Sequence, residues 1–204
     1  MNRVLLLGFF LFVVACSASL PPIPVDSGSV APGTQVMRGS DTLKLLGTPL
    51  KVGDPLPSVT LVNINLQPVD LSRMHGEVLL ISVVPSLDTR VCERQTHILA
   101  EEAGDLPAAV KRITISRDLP FAQKRFSEEA PALKQLLYLS DYAEADFGRA
   151  TGLLIDKIHL LARAVIVVDR QGIVRYLQVV PSITHLPDLK KGMEVAAQLA
   201  RAEP

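Results

Sequence analysis

Tryptophan is absent from this chain, and aromatic residues make up only 4% of it. Platforms that stack bases or sugar rings are built from such side chains, so the composition argues against one. An excess of one charge is missing too: Lys+Arg and Asp+Glu both number 21, and no basic block stands out. No nucleic-acid partner is expected. Cysteine is scarce. Cys16 and Cys92 cannot build a disulfide framework, and their separation rules out a C-x-x-C redox pair. The histidines, His75, His97, His159 and His185, are scattered without metal-ligand spacing and read as surface or capping residues. Neither a metal nor a cofactor is expected. The longest apolar run, residues 4–15, falls short of the ~20 residues that a spanning helix needs. No internal repeat is visible.

What is present fits one globular domain with a sizeable core: 204 residues, 48% hydrophobic and 21% charged. Residues 1–15 open with Arg3, continue as the uncharged apolar run and end in Val13-Val14-Ala15 before Cys16. A basic start and a short apolar stretch read as a signal segment. The ending resembles the lipobox of bacterial lipoproteins. That resemblance implies cleavage before Cys16, acylation of its thiol, and attachment to a membrane on the periplasmic or extracytoplasmic face of a bacterial cell envelope. Residues 16–40 contain Pro21-Pro22-Ile23-Pro24 and Ala31-Pro32-Gly33, a composition that predicts a semi-rigid tether. The folded domain is expected over 41–204.

The centre of that domain is residues 78–95. Residues 78–84 are rich in Val and Ile and broken only by Ser82, which predicts a buried strand. Pro85 ends it, lacking an N–H for the ladder. Ser86, Asp88 and Thr89 are helix-capping types, and Val91, Ile98 and Leu99 follow at helical spacing. Cys92 thus falls in the first turn of a helix, where unpaired N–H groups and the positive end of the dipole favour a thiolate. Arg90 and Arg94 stand close by in sequence. A small buried core cysteine is the other reading of the position alone.

Elsewhere the pattern predicts a hairpin from 42–46 and 50–52, and short strands at 59–64 and 69–71. Further strands are expected at 110–116, 136–139, 164–168 and 173–180. Helices are expected from Asp118 as a cap with Pro120 in the first turn, over 143–150, and over 188–200.

Pro85, Thr89 and Cys92 form the pattern P-x-x-x-T-x-x-C, which resembles the active-site signature of peroxiredoxins. The longer Pro85-Ser-Leu-Asp-Thr-Arg-Val-Cys92 resembles the thiol peroxidase branch of that family. Residues 116–126 and 161–169 are similar to the same branch, and the likeness runs from about residue 42 to residue 200. It implies an α/β thioredoxin-like fold with an N-terminal β-hairpin and a thiol-dependent peroxidase acting on hydrogen peroxide and organic hydroperoxides. It implies Cys92 as the nucleophile that becomes a sulfenic acid, with Thr89, the Cys92 N–H and the Arg163 guanidinium as donors, Pro85 as a shield, and a homodimer as the assembly.

One departure stands out. Most members of the branch carry a resolving cysteine in the helix after the Leu-Pro-Phe-Ala segment, and here Ser127 takes its place. A one-cysteine cycle is therefore expected, with an external thiol: a thioredoxin-like or glutaredoxin-like protein or a small thiol. A peroxide sensor or disulfide relay with little turnover is the alternative. A copper chaperone is disfavoured, because no second cysteine and no paired histidines stand near Cys92.

Overall fold

The computed structural model describes residues 21–102 and 106–202. The expected signal segment, Cys16 and its lipobox lie outside the described residues. The chain runs β1 (Val25–Asp26), β2 (Gln35–Arg38), β3 (Asp41–Leu46), β4 (Thr60–Asn63), β5 (Pro68–Asp70) and β6 (Val78–Val83). It continues through α1 (Arg90–Glu101), β7 (Val110–Ser116), α2 (Pro120–Ser127), β8 (Leu137–Ser140), α3 (Asp146–Thr151) and β9 (Leu154–Ile155). The last elements are β10 (Ala164–Val168), β11 (Val174–Val179), β12 (Leu186–Pro187) and α4 (Leu189–Arg201).

A seven-stranded mixed sheet has the order β11-β10-β6-β7-β8-β4-β5. The middle strands β6, β7 and β8 are parallel, and the flanking pairs are antiparallel. A parallel strand buried on both faces reads as continuous apolar sequence, and β6 is buried at all its positions. Its alternate residues divide between two cores. Leu79, Ile81 and Val83 face a layer that includes Val36 of β2, Leu45 of β3 and Phe147 of α3. Val78 and Leu80 face Leu99 of α1, Phe126 of α2 and Ala196 of α4. Each fully buried aliphatic side chain contributes about 1.5–3 kcal/mol, so this strand and its partners hold the layers together. α4 lies so close to the sheet that a Cβ on Gly192 would meet Val165 Cγ1 at 2.7 Å. This is the expected thioredoxin-like architecture with an N-terminal hairpin.

The N-terminal region differs from the tether and hairpin read from composition. The hairpin is β2 with β3, turning at Gly39, and residues 50–52 are not a strand. Residues 21–40 form an arm laid along the domain. β1 pairs in parallel with β12, and Gln178 Nε2 donates to the carbonyls of Asp26 and Gly28 at 2.8 and 2.9 Å. Val36 is buried in the core. Proline removes donors but leaves carbonyls and apolar rings, so a proline-rich stretch can dock wherever the domain offers N–H groups.

A second correction concerns Asp118. The residue before α2 is Leu119, with extended φ/ψ and no side-chain cap, and Pro120 begins the helix as expected. The Asp118 carboxylate is engaged elsewhere. In contrast, Asp188 does cap α4, accepting from the Lys191 N–H at 2.9 Å.

Candidate active site

β6 delivers the chain to the site. Val84 N–H still donates to Ile115 O at 2.9 Å; Pro85 follows, buried, and the ladder stops. The loop between strand and helix is clamped by Asp118 of the β7–α2 connection. Its Oδ1 accepts from Ser86 Oγ and its Oδ2 from Leu87 N–H, both at 2.7 Å. Sequence reading missed this role, because an aspartate just ahead of Leu-Pro looks like a local cap.

Thr89 is the N-cap of α1, in extended conformation. The first helical bond is Glu93 N–H to Thr89 O at 2.9 Å. The N–H groups of Arg90, Val91 and Cys92 precede that bond and have no intrahelical acceptor, which leaves a positive first turn. The Thr89 hydroxyl donates to Ser86 O at 3.1 Å. Its one proton is thus used within the loop, and its lone pairs remain to accept from a ligand's O–H.

Cys92 lies on the inner face of α1 with Gln95, Thr96, Leu99 and Ala100, at spacings of one helix face. It is a free thiol with 0% exposure. Arg163, just ahead of β10, is 1% exposed and turns its guanidinium to the sulfur, with Nη2 at 3.3 Å from Cys92 Sγ. The remaining donors are held by protein. Nη1 donates to Gln95 Oε1 at 2.6 Å, and Nε and Nη2 donate to Ile183 O at 3.2 and 2.8 Å. Among the described residues no carboxylate pairs with this buried cation. Burial pulls the Arg163 pKa below its ordinary value, and Cys92 opposes the shift. An arginine stays protonated regardless, so its buried charge is compensated when the neighbouring sulfur is a thiolate.

Arg90 and Arg94 do not share this task. Arg90 donates to Pro21 O, and Arg94 pairs with Glu102 at 3.8 Å. Gln95, in contrast, joins the site unannounced. Its Nε2 donates to Ser82 Oγ at 2.6 Å while its Oε1 receives Arg163, so it fixes the guanidinium against the strand. The signal was there in Ser82, the one polar residue of an otherwise apolar strand. Ile183 is placed in turn by the arm: Ile183 N–H donates to Met37 O at 2.9 Å, and Met37 N–H to Pro181 O at 2.7 Å. The structure therefore brings Cys92 and Arg163 into contact and adds Gln95 and Ser82, while Pro85 and Thr89 lie on the loop and N-cap that lead to Cys92, a loop clamped by Asp118.

Ser127 sits at the last turn of α2, nearly buried, and its hydroxyl donates to Lys124 O at 2.7 Å within its own helix. Phe126 beside it packs edge-on against Tyr138 and His97, with ring centres at 6.3 and 6.1 Å.

This arrangement has counterparts. The Redoxin family model matches residues 51–193. A thiol peroxidase of Halalkalibacterium halodurans is 46% identical over 154 residues, covering 76% of this chain and 92% of the relative. A thiol peroxidase of Bacillus subtilis is 41% identical over 157 residues, covering 77% and 93%. Among solved structures, a peroxiredoxin-like protein from Aquifex aeolicus superposes with a TM-score of 0.75 at 34% identity, over 82% of this chain and 98% of its own.

Proposed function

The chain belongs to the redoxin family as a peroxiredoxin-type thiol peroxidase, and from that premise we propose that Cys92 reduces peroxides in a one-cysteine cycle completed by an external thiol. The observation that carries the reading is the fully buried contact of Arg163 Nη2 with Cys92 Sγ at 3.3 Å.

In the first step the Cys92 thiolate attacks one oxygen of the peroxide. An S–O bond forms and the O–O bond breaks; sulfur loses two electrons, and the departing oxygen takes a proton from solvent to leave as water or alcohol. The groups on the page suit that displacement. Arg163 and the first-turn N–H of Cys92 stabilise negative charge as it moves from sulfur to oxygen, and they are fixed beforehand. Thr89 accepts the peroxide's O–H and sets its axis. Pro85 and the closed loop keep competing water away. In the second step an outside thiol displaces hydroxide from the sulfenic acid, giving water and a mixed disulfide. Another thiol then frees Cys92 and carries the disulfide away. Ser127 supports an outside resolver, because its hydroxyl cannot form a disulfide.

The same reading extends to place. A diacylated Cys16 would anchor the protein to a membrane of the bacterial cell envelope, supported by the leader at residues 1–15. A homodimer completes it, with exposed Leu119 and Phe121 as an apolar surface for the second copy.

Wild-type protein with excess thiol should consume many equivalents of peroxide, and Cys92→Ser none, with the fold intact by circular dichroism. One equivalent of peroxide without thiol should leave a sulfenic acid that a carbon nucleophile traps on Cys92. Turnover in the serine variant would overturn the assignment.

A further inference from the structure

A groove of about 650 Å³ runs beside the active-site helix. Pro22, Ile23 and Val25 of the arm line it together with Ile98 of α1 and Leu186 of β12, so its floor is mostly apolar. Arg90 and Arg94 stand along it, with Glu93 and His97. Val25 is 65% exposed, although the backbone of β1 is fully tied to β12. Val25 joins Ile23, Ile98 and Leu186 in one groove, and it is a contiguous apolar patch rimmed by polar groups, not a lone aliphatic, that marks a contact surface.

The arm also fixes where the chain leaves the domain. Arg90, the first residue of α1, donates to Pro21 O at 2.5 Å. Toward the N-terminus only residues 17–20 separate Pro21 from Cys16. Fully extended, the stretch from Cys16 to Pro21 reaches at most about 17 Å. If the acyl chains of Cys16 lie in the hydrocarbon, the head-group layer alone takes up roughly 5–8 Å of that reach. Pro21, at the edge of the groove, then stays within about 9–12 Å of the head-group surface.

We propose that this groove is the surface on which the protein rests on a phospholipid bilayer. Ile23 and Val25 meet the acyl boundary, and Arg90 and Arg94 meet head-group phosphates, the usual division of an interfacial contact. The inference rests on acylation of Cys16, and it adds an orientation to the anchor: the N-terminal end of α1, two residues from Cys92, faces the membrane.

The lack of native tryptophan makes the test direct. Val25→Trp places a probe at the groove, and Val52→Trp places one at the other end of the sheet, where Gly53 N–H bonds Val174 O and the side chain is 59% exposed. Full-length protein, processed in a bacterium, is reconstituted into phosphatidylethanolamine–phosphatidylglycerol vesicles whose acyl chains carry bromine. Both variants should reduce peroxide as the parent does. The Val25→Trp emission should be largely lost to bromine quenching, and the Val52→Trp emission should persist. Acylated protein that floats with the vesicles but shows equal or no quenching at the two positions would overturn the orientation and leave the anchor standing. Protein whose mature N-terminus carries no acyl group and does not float would sink the anchor reading, and this inference with it. Quenching lost from Val25→Trp only as protein concentration rises would assign the groove to a second copy instead.

Discussion

The surroundings of Cys92 and those of Ser127 are built to different standards. Around Cys92, Arg163 spends its donors on Gln95, Ile183 and the sulfur, and Gln95 reaches on to Ser82. Around α2, among the described residues, Gln123 Oε1 and the Tyr138 hydroxyl are buried without a hydrogen-bond partner, and Thr114 Oγ1, opposite Ser82 in the β6–β7 register, is a third between the two regions. Burial, and to a lesser degree Glu129, pushes the Tyr138 pKa above its ordinary value. A buried polar atom left unpaired costs about 1–3 kcal/mol. The guanidinium beside Cys92 is therefore held by several bonds, whereas the surroundings of Ser127 leave buried oxygens unpaired. Rigid support is needed where charge moves in the transition state, and no such demand falls on the surroundings of Ser127.

The largest expected break of that contrast is Arg163→Met. Losing a preorganised donor costs about 10²–10³ in rate, so stopped-flow oxidation of Cys92 should slow by that order. An unchanged rate would make Arg163 a structural residue. Gln95→Leu is the next in size. The guanidinium keeps Ile183 but loses its tether to the strand, and oxidation should slow about tenfold, with about 1–3 kcal/mol lost in urea unfolding. Gln95→Glu should not restore the rate, because a carboxylate would compete with the sulfur for the cation.

Ser127→Cys sharpens the comparison through redox form rather than rate. One equivalent of peroxide should give an intramolecular Cys92 disulfide, seen by non-reducing mass spectrometry, and thioredoxin should become a usable reductant. A variant that keeps its new thiol free would show that Phe126 pins α2 too firmly to open. The smallest effect is expected of Tyr138→Phe. It deletes an unpartnered hydroxyl, so stability should stay level or rise by up to about 1 kcal/mol in the same unfolding measurement. A clear loss would reveal a partner for that oxygen.

Much of this was legible beforehand, for physical reasons that can be named. β6 announced itself because a central parallel strand must be apolar on both faces, and Cys92 followed from its place in the turn beyond it. Arg163 came from likeness in context, since a lone arginine before a strand says nothing of its burial. Gln95 was silent because its partner Arg163 stands 68 positions away and its own helix explains its polarity. Asp118 was misread for the opposite reason, a local role being available while its partners lay 31 and 32 positions back. The arm was hidden by its prolines. Composition measures what a segment cannot do for itself and does not register the N–H groups that the rest of the chain holds out to it.

That arm has a consequence for how the molecule comes into being. Gln178 bonds Asp26 across 152 positions, and Met37 holds the loop that holds Arg163. Synthesis at about 5–20 residues per second puts roughly 8–30 s between the birth of one partner and the other. Contacts so distant in sequence are also the slowest to close. In the later part of that interval Cys92 has been made while the loop that aims the guanidinium has not. A nascent chain thus carries Cys92 without its guanidinium partner, and the contact between them is assembled only with the completed fold.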